Sequence, residues 1–581
     1  MTRKFDDYRQ INYSIPQESI LWNMYGPGLE NIGKEGKPEI QPVPEPGDDQ
    51  LLVRIDAVGM CFSDVKLIKQ GGAHPKLYNR DLKTNPTRVG HEAAMTVIKA
   101  GTKLAGQYHP GQKLAIQPDI YQNKKSTAYG YTIPGGLIQY HLIGDEILNA
   151  DDGAYVIPIE GDLSYAESAL TEPWACVIAA YTQRRRLSPK PGGTMWILGN
   201  KRDQGLYEFS HGLETPRKIV ISDVSPRFKA MLRKKIKPGT ELIEINTISP
   251  GDFQDINARM CGNAGFDDIV LLSPKSAALV SRAADLIAFR GTFNIVGKQP
   301  LDGPVQVDAS RIHYHYTTYI GNNSMDIAQS YGEERNRCDL LDDGTLVVVG
   351  AGGPMGQMHV QRATEMKGGP KRIIASDVNG ERLSELEKFI RPIAEKNQKE
   401  IQFFNPNLAD QSLSVFLRGL NNNQLADDVV VCVPSGSLME ASFKLVGPNG
   451  MLVLFAGAAV GTKMSIDISN IYLNNQQLTG TSGSTLNDQR MVIQNTIDKH
   501  LSPILSVAAV GGMEAALDGL EAMMTGKYAG KVVIFPQVTG FPLTGLNVMH
   551  EQYPEIAEKL GDNYAWTLEA ERTLIEKFWD V

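Results

Sequence analysis

Residues 345–360 read TLVVVGAGGPMGQMHV. An apolar, β-branched run stops at a glycine cluster, and a helical pattern begins at once. About twenty residues on, the run RIIAS ends at Asp377. The order is strand, phosphate-cradling turn, helix, second strand and an acid at its tip. Glycines let backbone approach a pyrophosphate, and the helix N-terminus offers unpaired N–H groups to the anion. Gly350, Gly352, Gly353 and Gly356 make the turn, one residue longer than the usual G-x-G-x-x-G, with Pro354 and Met355 between the last two. Asp377 suits a ribose 2′-hydroxyl, and Arg382 is counted in the same dinucleotide site. A glycine-rich turn in a nucleotide-free α/β domain is the plainer alternative.

Working outward, region 190–500 repeats itself. TMWILGNKRDQG (194–205) aligns with TLVVVGAGGPMG (345–356), IVISDVSPR with RIIASDVNGER, and FDDIVLLSPKSA with ADDVVVCVPSGS. Gly291, Asp308 and Gly321 are spaced 17 and 13 apart, as are Gly450, Asp467 and Gly480. Each copy alternates short apolar strands with amphipathic helices, which implies a parallel sheet covered on both faces. Two tandem Rossmann-type domains are expected, at 188–340 and 341–500. The first copy has Lys201, Arg202, Asp203 and Gln204 where the second has Gly352, Gly353, Pro354 and Met355. Side chains there obstruct close backbone approach. The first copy therefore reads as a domain that has lost its nucleotide, the alternative being an altered anion site built on Lys201 and Arg202.

With 42% hydrophobic and 21% charged residues, the chain of 581 residues is of ordinary globular composition and needs no disulfides to bury large cores. A net charge of −8 gives no reason to expect nucleic-acid or anionic-membrane partners. MTRKFDDYRQ lacks the apolar core of a signal peptide, and MLVLFAGAAVG (451–461) is too short to span a bilayer. The five cysteines are scattered without C-x-x-C, as expected of reduced thiols in a cytoplasmic protein.

A second chemical signature lies upstream. VRIDAVGMCFSDVK presents Cys61, Ser63 and Asp64 after an alternating strand. RVGHEAAMTVIKAG presents His91 and Glu92, and ALTEPWACVIAAY presents Glu172 at the start of an apolar helix. Thiolate, imidazole and carboxylate suit Zn²⁺, and three protein ligands leave a catalytic position open. Singly, each residue also has a structural reading: a buried thiol, a polar pair, a helix-start acid.

Together these segments resemble the medium-chain zinc-dependent dehydrogenase family. So do PGQKLAIQP, GGLIQYHLIGDE and GGMEAALDGLEAMMTGKYAGKVVIFP; the resemblance covers roughly residues 40–535. Within the family, the polyol and sugar dehydrogenases are the nearest in pattern, and AAVGGMEAALDGL looks most like sorbose-1-phosphate reductase-type enzymes. The resemblance implies an α/β fold with a GroES-like, β-rich catalytic domain. Residues 1–187 would form its N-terminal part and 501–535 its returning part, with 536–581 as a C-terminal extension. It also implies that Cys61, His91 and Glu92 hold the zinc, with Glu172 ligating directly or through water. Asp64 would orient a ligand, and Ser63 would bond the substrate hydroxyl and pass on its proton. Lys66 stands where many relatives carry a proton-relaying histidine; relay, a phosphate contact and an exposed loop lysine are all open here. Residues 116–136 lack the family's structural-zinc cysteines, so one zinc per chain is expected.

The implied activity is hydride transfer between NAD(H) and a polyol, sugar or sugar phosphate. Asp377 favours NAD(H) over NADP(H), because a carboxylate repels a 2′-phosphate. The second copy, with its intact turn, is expected to serve the metal. A zinc-independent reductase and a non-catalytic nucleotide or redox sensor are the rival readings. Family members often dimerise by pairing the last strands of two Rossmann sheets. Here 313–323 and 472–482 occupy those positions, so an intrachain pseudo-dimer is expected, with homo-oligomers still open. Arg88 and the Arg184–Arg186 run read as surface cations, and TLEAERTLIEKFW (567–579) as an amphipathic helix.

Overall fold

The computed structural model describes residues 4–200, 203, 205–245 and 249–580. The N-terminal region supplies β1 (Leu51–Gly59), β2 (Glu92–Ala100), β3 (Lys113–Ile116), β4 (Tyr140–Ile143) and β5 (Val156–Pro158). Helix α1 (Phe62–Gln70) follows β1, and α2 (Tyr165–Thr182) leads out of this region. β1 does not alternate as its sequence suggests: every residue of it is buried. Helix α2 covers one face of β1 and β2, so neither face of β1 meets water.

Helix α2 begins at Tyr165, well before Glu172, which lies mid-helix rather than at the start. Ser164 Oγ sets the start by accepting from Glu167 N–H at 3.0 Å, and Pro173 is carried inside the helix.

The duplicated region forms one 12-stranded sheet. Its first half holds β6 (Thr194–Leu198), β7 (Lys218–Ser222), β8 (Glu241–Ile245), β9 (Phe266–Leu272), β10 (Ile287–Val296) and β11 (Thr318–Asn322), with α3 (Ala309–His315) preceding β11. The second half opens with β12 (Thr345–Val349), α4 (Pro354–Glu365), β13 (Arg372–Ser376) and β14 (Glu400–Phe404). It continues with β15 (Ala426–Val431), β16 (Val446–Leu454), α5 (Ser469–Leu473), β17 (Gln477–Gly480) and α6 (Leu486–Ile497). The strand order is 8-7-6-9-10-11-17-16-15-12-13-14. Each half therefore has the 3-2-1-4-5-6 order of a dinucleotide-binding sheet.

The two halves meet inside the chain, where β11 and β17 pair antiparallel with Tyr319 opposite Leu478. Arg185 staples this junction, donating to the carbonyls of Tyr319 (3.4 Å) and Leu478 (2.5 Å). Val305–Asp308 pairs with Lys463–Ile466 in a second crossing. Sheet edges that would otherwise invite another chain are thus used up.

The repeat extends to side chains. Arg186 bonds Asp268 at 3.1 Å, and Arg337 bonds Asp428 at 2.7 Å. Asp267 accepts from Thr194 N–H and Asp427 from Thr345 N–H, both at 2.8 Å. Arg185 and Arg186 are therefore structural rather than free surface cations. So is Arg88, which is buried and donates to Gly135 O at 3.2 Å.

The halves differ where phosphate chemistry would sit. Between β6 and β7 the described residues contain no helix. Tyr207, Phe209 and Leu213 fill that side of the sheet instead. The regular strand–helix alternation expected of the first copy is interrupted there, and a missing helix leaves no N-terminus to meet a phosphate. Lys201 and Arg202, the basis of the alternative anion site, lie outside the described residues.

After α6 the chain returns to the first sheet as β18 (Val507–Gly512), β19 (Lys531–Phe535) and β20 (Thr544–Gly545), giving an eight-stranded sheet. The final helix, α7 (Leu568–Phe578), packs on its own chain. Its buried Glu571 accepts from the N–H groups of Tyr165 (2.6 Å) and Ala166 (2.9 Å), capping α2.

Candidate active site

Cys61 is the N-cap of α1, and its own N–H donates to Asp64 Oδ2 at 3.1 Å. Asp64 Oδ1 lies 3.0 Å from His91 Nδ1. A carboxylate there holds the proton on Nδ1 and leaves Nε2 as a lone-pair donor. Ser63 Oγ lies 3.1 Å from Cys61 Sγ and 3.2 Å from His91 Nε2. Glu92 opens β2 with its side chain fully buried.

The ligand atoms of Cys61, His91 and Glu92 all lie within 4.8 Å of one another. Glu92 Oε2 is buried with no hydrogen-bond partner. A buried carboxylate oxygen left unpaired is costly unless a cation takes it. A Cβ at residue 59 would collide with this oxygen, so glycine is required there. Thiolate, imidazole and carboxylate form a donor set that fits zinc. Burial opposes charge on His91, but Asp64 and Cys61 outweigh it and raise its pKa well above the usual value, so a metal taken up at Nε2 displaces a proton there.

Glu92 Oε1 is held by Lys531 Nζ at 2.5 Å, with both groups buried. Burial works against this ammonium, and Glu92 and Cys61 more than compensate, raising its pKa. Sequence reading missed Lys531. Its signal was a charge opening the otherwise apolar strand KVVIF (531–535).

Glu172 stands outside the three-residue cluster. It is buried, and burial pushes its carboxyl up to about 7, with the His91 charge opposing and the Glu92 charge adding. Cys176, one turn along α2, places Sγ 3.8 Å from Glu172 Oε1 and 3.8 Å from Ser484 Oγ. Lys66 lies one turn beyond Ser63 on α1 and is exposed.

In the second half of the large sheet, Gly350 has φ +82° and Gly353 is the N-cap of α4 with no side-chain cap. The first N–H groups of α4 are thus left for an anion, with Pro354 at the opening position. Asp377 Oδ2 accepts from Gly352 N–H and Oδ1 from Asn379 N–H, both at 2.9 Å. A Cβ at residue 352 would lie 2.8 Å from Arg382 Cβ. Gly356 admits no side chain against Gly350 O, and Met355 packs partly buried beside the core. The Arg382 guanidinium reaches Gly526 O at 2.6 Å, tying this half to the returning segment.

The metal cluster and the glycine turn are joined through α2, which packs on α4 and α6. Tyr181 OH meets His359 Nδ1 at 2.6 Å, and Thr182 Oγ1 donates to Asp488 Oδ1 at 2.6 Å. Gln489 Nε2 donates to Thr171 Oγ1 at 3.0 Å. The first half of the sheet retains a cavity of ≈ 390 Å³ lined by Asn200, Asp223, Ser273 and Ser276, without the phosphate helix.

Residues 47–149 match the alcohol dehydrogenase GroES-like domain, and residues 354–499 match the zinc-binding dehydrogenase model. The two models describe parts of dehydrogenases, and each covers less than half of the chain. The enzyme is an oxidoreductase of the zinc-binding alcohol and polyol dehydrogenase type. It is 27% identical over 553 residues to mannitol-1-phosphate 5-dehydrogenase of Aliivibrio fischeri, covering 93% of this chain and 94% of that one. It is 27% identical over 297 residues to L-sorbose 1-phosphate reductase of Klebsiella pneumoniae, covering 48% of this chain and 71% of that one. It is also 29% identical over 302 residues to the protein YggP of Escherichia coli, covering 48% of this chain and 69% of that one. No helix of the described enzyme is long and apolar enough to cross a membrane.

Proposed function

We propose that the enzyme transfers hydride between NAD(H) and a polyol, sugar or sugar phosphate, with one catalytic zinc. The carrying observation is the packing of α2 on α4 and α6, which joins the metal-cluster region to the half of the sheet with the intact glycine turn. The relatives acting on mannitol 1-phosphate and L-sorbose 1-phosphate support this substrate class.

In this reading Cys61, His91 and Glu92 hold the zinc, and Glu172 lies beside it. When bound, zinc supplies a Lewis-acid charge for the reacting oxygen, and the nicotinamide supplies or takes the hydride. Ser63 Oγ, between Cys61 and His91, is placed to bond the substrate hydroxyl and carry its proton. Asp64 holds the His91 tautomer. Lys531 offsets one oxygen of Glu92 and leaves the other for the metal. The backbone N–H groups after Gly353 receive the pyrophosphate, and Asp377 receives the adenosine ribose, which favours NAD(H) over NADP(H). Val378 and Leu408, both exposed, offer apolar surface beside that acid for a purine. Five free thiols suit a reducing, cytoplasmic setting.

The test is a panel of ketoses, polyols and their phosphates, followed by absorbance of the reduced coenzyme, with zinc measured on the same sample. Turnover with NADH and about one zinc per chain is expected. Turnover by metal-free enzyme would overturn the zinc assignment, and no turnover on any member would overturn the reading as a whole.

A further inference from the structure

Among the described residues the first half of the large sheet has no phosphate helix, yet its helix α3 is built into the cleft of the second half. Ile312 and His313 lie against Gly480 at the carboxyl end of β17. His313 Nε2 and the Tyr314 hydroxyl crowd Gly457, just past the end of β16. Ligands of open α/β sheets bind outside the carboxyl ends of the strands, so α3 walls the working crevice.

His313 Nδ1 lies 3.4 Å from Leu454 O. A carbonyl only accepts, so Nδ1 carries the proton and Nε2 is an acceptor. Burial, with the Lys66 charge adding to it, lowers this imidazole to about 4 and keeps it neutral. Tyr316, the C-cap of α3, donates to Ser482 O, and Ser484 Oγ lies 3.8 Å from Cys176 Sγ, beside Glu172, so α3 reaches the site that α1 enters with Ser63 and Lys66.

Lys66 is exposed, with Nζ 5.9 Å from the Phe62 ring centroid. Among the described residues no carboxylate pairs with it, whereas neighbouring Lys76 is paired with Asp119 at 2.7 Å. An aromatic wall runs outward from the metal cluster. The His91 ring lies 5.9 Å from Tyr131, and Tyr131 lies 5.2 Å from His74. His74 is also held neutral, lowered to about 4 by burial, then by Lys76 and Lys66.

We propose that Lys66 and His313 form the far end of the substrate site. Lys66 pairs with the phosphate of a ketose or polyol phosphate, and His313 Nε2 accepts from one of its hydroxyls. The inference rests on the function proposed above and deepens it. A lysine binds phosphate as a point charge, so its contribution vanishes with an unphosphorylated substrate. The half that no longer cradles a coenzyme thereby acts as a permanently attached partner, lending a specificity residue to the half that does.

The experiment compares kcat/KM for matched pairs, a ketose and its 1- and 6-phosphates, using the full zinc-loaded chain and NADH. Lys66→Met is expected to cut the preference for the phosphorylated member about tenfold, through KM, while Lys66→Arg keeps most of it. His313→Asn retains a donor toward Leu454 O and loses the outer acceptor. It is expected to lower kcat/KM on both members of a pair, with partial rescue by His313→Gln. An unchanged preference in Lys66→Met, or equal losses on both members, would overturn the Lys66 assignment. Wild-type kinetics in His313→Asn would overturn the role of α3. Absence of turnover by the wild-type enzyme on every pair would overturn the proposed function itself, a result distinct from either.

Discussion

Lys531 Nζ stands 2.5 Å from Glu92 Oε1 in the interior of the eight-stranded sheet. The two residues come from β19 and β2, and β1 lies between those strands. One oxygen of Glu92 is neutralised, and the other, Oε2, is buried without a partner beside Cys61 and His91. The pair thus sets how much charge the metal cluster presents.

Lys531→Met should destabilise the metal-free enzyme by about 3–5 kcal/mol, the usual result of stranding one member of a buried pair. Zinc should recover part of that loss by taking up the carboxylate. Denaturant midpoints with zinc and with chelator check this. Equal stability of variant and parent in chelator would show that the pair carries no weight.

Cys61→Ser replaces a thiolate with a hydroxyl that stays protonated at neutral pH. Zinc content by mass spectrometry should fall from about one per chain to near zero, and turnover should fall with it. NADH binding, followed by its fluorescence, should persist, because the glycine turn is untouched. Full zinc retention would remove Cys61 from the ligand set.

Gly352→Arg should abolish coenzyme binding while leaving zinc in place. Even a methyl group at 352 meets Arg382 Cβ at 2.8 Å, and the amide of Gly352 is bonded to Asp377. A larger side chain both loosens that bond and fills the approach to α4. A fluorescence titration giving the parental affinity would refute the assignment.

What was legible in the chain was local chemistry and period. The spacing of Gly350 to Gly356, the acid at Asp377 and the paired Asp427–Asp428 each encode one turn, tip or corner, and each recurs in its predicted place in the sheet. The pairing of β11 with β17 was legible because the duplication itself supplies two equivalent edges. The departures come from tertiary substitution. Nothing local announces that Tyr207 and Phe209 replace a helix in the first half. The start of α2 was not legible at Glu172, because Ser164 and the distant Glu571 fix it seven residues earlier, at Tyr165. Lys531 lies 439 residues from Glu92, beyond any spacing argument.

Glu571 makes the last expectation one of pH. Two N–H groups at the start of α2 favour its ionised form, but burial outweighs them and pushes the carboxyl from 4.5 up to about 7. Glu167 lies on the same first turn and is also raised to about 7, by burial and then by Glu571, while Lys113 opposes the rise in both. A folded-state pKa above the unfolded one contributes stability that is complete below about pH 4.5 and lost as pH rises through about 7. Glu571→Gln does not titrate. The stability advantage of the parent over this variant should therefore shrink between pH 5 and 8, by up to roughly 3 kcal/mol. Urea midpoints of both proteins at matched pH values measure the difference. A difference that stays constant across that window would mean that Glu571 is ionised throughout and caps α2 as a carboxylate.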